Sequence, residues 1–101
     1  MEKRTVLDRI EIEADGTVFL RLLKQIVDGE VLRSEPHRSV VYPSVPVSDQ
    51  LAAVNAHLAQ MGWPEISADD VARLESHVRV ARTPEIVVAW EEKTAAATAR
   101  P

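Results

Sequence analysis

The sequence contains no cysteine, so neither a disulfide framework nor a thiolate metal centre is open to it. It has only three glycines, Gly16, Gly29 and Gly62, each at an expected turn or helix stop. No Gly-rich phosphate loop, dinucleotide fingerprint or Gly-x-Ser-x-Gly elbow can be built from them. Four aromatic residues, Phe19, Tyr42, Trp63 and Trp90, are all there are, so the core has to come from Val, Leu, Ile and Ala. No apolar run approaches the roughly 18 residues of a membrane-spanning helix. Basic residues are in deficit: 12 Lys and Arg against 16 Asp and Glu leave a net charge of −4 and a pI near 5.3. That balance argues against a dedicated nucleic-acid binder, whose affinity rests on neutralising phosphates. The opening Met1-Glu2-Lys3-Arg4 runs into alternating residues rather than a signal-peptide core, so secretion by a signal peptide is not expected.

What remains is an ordinary globular composition, 46% hydrophobic and 28% charged over 101 residues. That is enough for one small domain with a modest core. Val6, Ile10 and Ile12 share one parity while Arg9, Glu11 and Glu13 take the other, which predicts a half-buried strand over residues 4–13. Ala14-Asp15-Gly16 suits a three-residue hairpin loop. It sets Ile12 opposite Val18 and Ile10 opposite Leu20, keeping these apolar groups on one face. A two-residue loop would mix apolar with charged positions. The second strand, 17–27, carries Val18, Leu20, Leu22 and Ile26 on one face and Phe19, Leu23 and Val27 on the other, the pattern of a central strand. Asp28-Gly29 turns the chain into a third strand. Pro36 should interrupt that strand and hold it at a sheet edge or bulge, and it resumes over 38–42.

After Tyr42-Pro43-Ser44-Val45-Pro46 the period becomes helical. Ser48 is the expected cap of a first helix whose apolar face is Leu51, Val54, Leu58 and Met61, stopped by Gly62. Ser67-Ala68-Asp69-Asp70 starts a second helix that buries Val71, Leu74, Val78 and Ala81. Thr83-Pro84-Glu85 opens a third, with Ile86, Val87 and Trp90 on its apolar side. The predicted fold is therefore α+β: a three-stranded antiparallel β-meander (4–42) followed by three short α-helices (48–93) packed on one sheet face. Residues 1–93 make a single domain, and 94–101 are expected as a flexible tail.

Signs of chemistry are weak. His37, His57 and His77 lie on three different predicted elements, without the i,i+4 pairing of a zinc site. Glu11 and Glu13 are close only because every i,i+2 pair is, and no cleft accompanies them. The cluster Arg33, His37 and Arg38 is diluted by neighbouring acids. No catalytic residue, metal ligand or cofactor site is assigned, and an enzyme is not expected. If helices cover one face of the central strand, Phe19, Leu23 and Val27 need another cover, either the C-terminal helix or another chain. With Trp63 and Trp90, they are the candidate partner-binding residues.

Several phrases carry a resemblance: Arg4-Thr5-Val6-Leu7-Asp8-Arg9-Ile10-Glu11-Ile12 before the first hairpin, then Lys24-Gln25-Ile26-Val27-Asp28-Gly29, His37-Arg38-Ser39, Ala52-Ala53-Val54-Asn55-Ala56-His57-Leu58 and Met61-Gly62-Trp63-Pro64. Over roughly residues 4–64 the chain resembles small uncharacterised proteins encoded in the tail modules of tailed bacteriophages and prophages, near tail-tip and tail-fibre genes. The resemblance implies a structural or assembly protein of the distal tail or fibres. Such a protein would assemble in the bacterial cytoplasm and reside in the virion, with other tail proteins or its own copies as partners. It transfers no functional residues. The alternative is a soluble phage-encoded inhibitor or adaptor that binds a host protein. A charge mimic of that kind should concentrate its acids, whereas here bases are interspersed from Arg4 to Arg82. Nucleic acid, membrane and small-molecule substrate are not expected as partners.

Overall fold

The computed structural model describes residues 1–99. Three strands, β1 (Glu2–Ile12), β2 (Val18–Asp28) and β3 (Glu30–Val41), form an antiparallel sheet in the order β1-β2-β3. Three helices follow: α1 (Val47–Gln60), α2 (Ala68–Ala81) and α3 (Pro84–Ala99). This is the α+β meander-then-helices arrangement expected. The first hairpin pairs Ile10 with Leu20 and Ile12 with Val18, the register dictated by the three-residue loop. Gly16 takes φ of +90° there, and the Thr17 N–H donates to Asp15 Oδ1 at 3.0 Å.

Two register shifts change which residues face inward. Opposite β2, Leu7 pairs with Leu22 and Arg9 with Arg21, leaving Asp8 as an extra residue in β1. Such a bulge reverses the parity of the strand before it. Thr5 and Leu7 therefore enter the core with Val18, Leu20 and Leu22, and Val6, expected beside Ile10 and Ile12, pairs with Leu23 on the opposite face. Ile12 remains 46% exposed at the strand end, correcting the expectation that it is buried. The second shift lies between Ile26 and Val27 and leaves Leu32 unpaired. Pro36 does not interrupt β3, which runs unbroken past it, because an edge strand has one side where a missing N–H breaks no ladder bond.

On the inner face, Leu51, Val54 and Leu58 of α1 and Leu74, Val78 and Ala81 of α2 close over Leu7, Val18, Leu20, Leu22 and Val41, with Ile66 between the helices. The Ser67 Oγ caps α2 by accepting the Asp70 N–H at 3.2 Å. At α1 the cap position falls to Pro46 with no side-chain bond, so Ser48 is not the cap that it was expected to be, and Met61 is exposed rather than buried.

Among the described residues the third helix contributes none of the buried core side chains. It docks at the turn end of the sheet: Ile86 lies against Gly16, Trp90 stacks on Tyr42 at 5.7 Å between ring centroids, and Lys93 pairs with Asp15 at 3.6 Å. Helical geometry continues past Lys93 to Ala99, through most of the stretch expected as a tail; Arg100 and Pro101 lie outside the described residues.

Candidate protein-contact surface

With both sheet-covering helices on one side, the outer face of the sheet carries no layer from the described residues. Its residues stand in cross-strand rows given by the register: Glu11, Phe19 and Val40; then Arg9, Arg21 and Arg38; then Val6, Leu23 and Pro36; then Arg4, Gln25 and Ser34; then Glu2, Val27 and Val31. Side-chain bonds along the rows confirm that they share the face. Arg4 Nε donates to Gln25 Oε1 at 2.8 Å, Gln25 Nε2 donates to Ser34 Oγ at 3.4 Å, and Arg21 Nε donates to Asp8 Oδ2 at 2.6 Å. Apolar and polar rows thus alternate along the sheet. Phe19 is 44% exposed. Beside it is an open depression of about 300 Å³, lined by Arg9, Glu11, Glu13, Arg21 and Arg38.

Two of the ion pairs among the described residues lie on this face. Arg9 bonds Glu11 at 2.6 Å and Arg21 bonds Asp8. Arg38 has no ion-pair partner among the described residues, and it is the guanidinium furthest from the acids of β1.

Both edges of the sheet are blunted. On β1, the Leu7 N–H donates to Asp70 Oδ2 at 2.9 Å and the Leu7 carbonyl accepts from Arg73 Nη2 at 2.7 Å. The outward main-chain groups of Leu7, at the middle of the strand, are thereby occupied by α2. Since the Leu7 main-chain groups point out from the sheet edge, those of its neighbour Val6 point to Leu23, which turns the Leu23 main chain away from Pro36. The Pro36 nitrogen therefore points to the open side of β3, where its ring blocks the close approach of another strand. Strand addition is obstructed at both edges, and the outer face is left as the open surface of the sheet.

The candidate residues separate. Phe19, Leu23 and Val27 come together on the outer face, joined by Val6, Val31, Pro36 and Val40, whose place there follows only from the pairing of the strands. Trp63 lies half-buried against the core on the helical side, with the ammonium groups of Lys3 and Lys24 at 5.2 and 5.9 Å from its ring centroid. Trp90 lies on α3 against Tyr42. The basic cluster also splits: Arg38 is on the outer face, while Arg33 and His37 point to the helical side. There His37 meets His57 of α1, with ring centroids 5.4 Å apart. His77 sits apart on α2, its Nδ1 at 2.8 Å from the Arg73 carbonyl. No group of three or more His, Asp or Glu side chains arranged for a metal ion occurs among the described residues, and no helix among them is long and apolar enough to cross a membrane. Comparison with known proteins finds no matching family, no matching curated protein and no matching solved structure.

Proposed function

We propose that this chain is a non-enzymatic contact protein of a bacteriophage tail, docking its outer sheet face onto a larger protein of the distal tail or fibres. The observation that carries the contact role is the combination of an open, apolar-banded face with two blunted edges. A partner is directed to the face, where burial of Phe19, Leu23 and their row neighbours drives association at about 25 cal/mol per Å² of apolar surface. The tail assignment rests on the sequence resemblance over residues 4–64. A charge-mimicking inhibitor is less well served, because Asp8 and Glu11 are bonded to Arg21 and Arg9 rather than presented as a free acidic surface.

The test is incorporation. Tagged wild type and Phe19→Asp are produced during phage growth, and the purified particles and tail intermediates are probed for each. Wild type should be present and Phe19→Asp depleted, with both forms giving the same helical signal and melting temperature. Absence of wild type from particles and intermediates alike would overturn the proposal.

A further inference from the structure

The pattern of the outer face is a palindrome along the sheet. Taking the row of Val6, Leu23 and Pro36 as the centre, the rows on either side are polar (Arg9, Arg21, Arg38 and Arg4, Gln25, Ser34) and the next rows out contain apolar pairs (Phe19, Val40 and Val27, Val31). A twofold axis through the centre, perpendicular to the strands and lying between two stacked sheets, superposes apolar rows on apolar rows. Leu23, Val6 and Pro36 meet their own copies, Phe19 meets the partner copy's Val27 position, and Val40 meets Val31. The Arg21 and Arg38 guanidinium groups come over Gln25 and Ser34, donors over acceptors. Only the β1 side sets like charges opposite each other, Arg4 over Arg9 and Glu2 over Glu11. Those contacts oppose the pairing and hold its affinity down.

We infer that the free protein closes its outer face with a second copy of itself, the twofold axis passing at Leu23. Isologous pairing needs a self-complementary surface, and few patterns on a three-stranded sheet supply one. Strands of 11 residues span about 36 Å, and three of them about 14 Å, giving about 500 Å² per copy and about 1,000 Å² in all. That is at the lower limit for specific association. It suits a dimer that forms at moderate concentration and parts when a tail protein competes for the same face. The inference rests on the contact reading of that face, and it adds who occupies the face before assembly.

Sedimentation equilibrium of the purified full chain measures the dimer. Wild type should shift from monomer to dimer with rising concentration, and Phe19→Asp should weaken the dimer about tenfold or more while keeping the wild-type melting temperature at dilutions where both are monomeric. The absence of native cysteine allows the axis to be mapped. Leu23→Cys should give a covalent dimer with a bis-maleimide of about 10 Å reach, the spacing of stacked sheets. Val80→Cys, at a position 76% exposed on α2, should not. Should Leu23→Cys fold poorly, a mixture of Phe19→Cys and Val27→Cys chains serves, with cross-links forming between the two variants in preference to either alone. A wild type that stays monomeric at every concentration, or cross-links at Val80 as readily as at Leu23, refutes the pairing. A monomer that still enters particles through Phe19 refutes the pairing but leaves the tail contact standing. A dimer whose Phe19→Asp form enters particles unchanged refutes the tail contact but leaves the pairing.

Discussion

The attachment of α3 hangs on one glycine. Gly16 and Gly29 both close hairpins with positive φ, +90° and +75°, so an alanine at either position meets the same left-handed penalty of about 1–2 kcal/mol. Their surroundings differ. A Cβ on Gly29 has nothing within 4 Å, whereas one on Gly16 lies 2.5 Å from Ile86 Cγ2, 3.1 Å from Pro43 Cγ and 3.4 Å from the Ala81 carbonyl. Cγ2 moves only with χ1, which for a β-branched residue in a helix is held in one strongly preferred rotamer, so the clash is not relieved cheaply. The turn has to move or α3 has to leave. Overpacking of this kind costs a further 1–3 kcal/mol or so.

Gly29→Ala should therefore lower stability by about 1–2 kcal/mol and Gly16→Ala by about 2–5 kcal/mol. At about 4–8 °C per kcal/mol for a domain of this size, the difference is plain in a thermal melt followed by circular dichroism. The companion variant is Ile86→Ala, which removes the obstructing methyl. In the Gly16→Ala background it should restore part of the loss, a positive coupling that two independent sites would not give. Equal destabilisation by Gly16→Ala and Gly29→Ala, or strict additivity with Ile86→Ala, would refute the account of how α3 is held.

Ser67→Ala removes the cap on the Asp70 N–H and should cost about 1 kcal/mol in urea denaturation, while Ser48→Ala, which removes no cap, should cost a few tenths at most. The pKa of His37 is pushed below its ordinary 6.5, first by burial and then by the charges of Lys24 and His57. The folded state thus binds a proton less readily than the unfolded chain, so its contribution is complete above about pH 6.5 and fades as pH falls through the lowered value. The urea midpoint should drop more between pH 7 and pH 5 in wild type than in His37→Gln, and matching drops would refute the role of the imidazole.

The sequence revealed the fold where period and chemistry agree, and it misled where the chain breaks its own period. Ala14-Asp15-Gly16 admitted one register that kept Ile10 with Leu20, and that register is present. Val6 was misplaced because alternation was extended through Asp8 as if β1 were regular. Thr5 and Leu7 hold the parity opposite to Ile10 and Ile12, but Val6 shares that of Ile10 and Ile12, so alternation alone does not choose between a regular strand and a bulge. Ser48 is not the cap because the helix begins two residues earlier than such a cap requires, after Pro46, and a hydroxyl inside the first turn looks the same in sequence as one at the cap. On the outer face, Phe19, Leu23 and Val27 were legible from a single strand. Their neighbours Val6, Pro36 and Val40 required the pairing of three strands, and the contact of His37 with His57 required the placement of α1 over β3. Neither is a local property of the sequence.

The blunting of the edges bears on why the face stays open. A three-stranded sheet with one bare face has two routes to association, by adding strands or by stacking. Strand addition is unspecific, since any extended chain offers the same donors and acceptors. Here both edges are obstructed by particular residues, Asp70 and Arg73 at Leu7 on one side and Pro36 on the other. Stacking, by contrast, is read by side chains, and its partner has to match the alternation of apolar and polar rows. A chain under pressure only to remain monomeric would also have placed charge at Phe19, Leu23 and Val27. Retaining these apolar groups while obstructing both edges favours one selective mode of contact over the promiscuous one. Relieving Pro36 is thus expected to broaden self-association rather than strengthen it: Pro36→Val should give species larger than a dimer in sedimentation, whereas Phe19→Asp should give fewer.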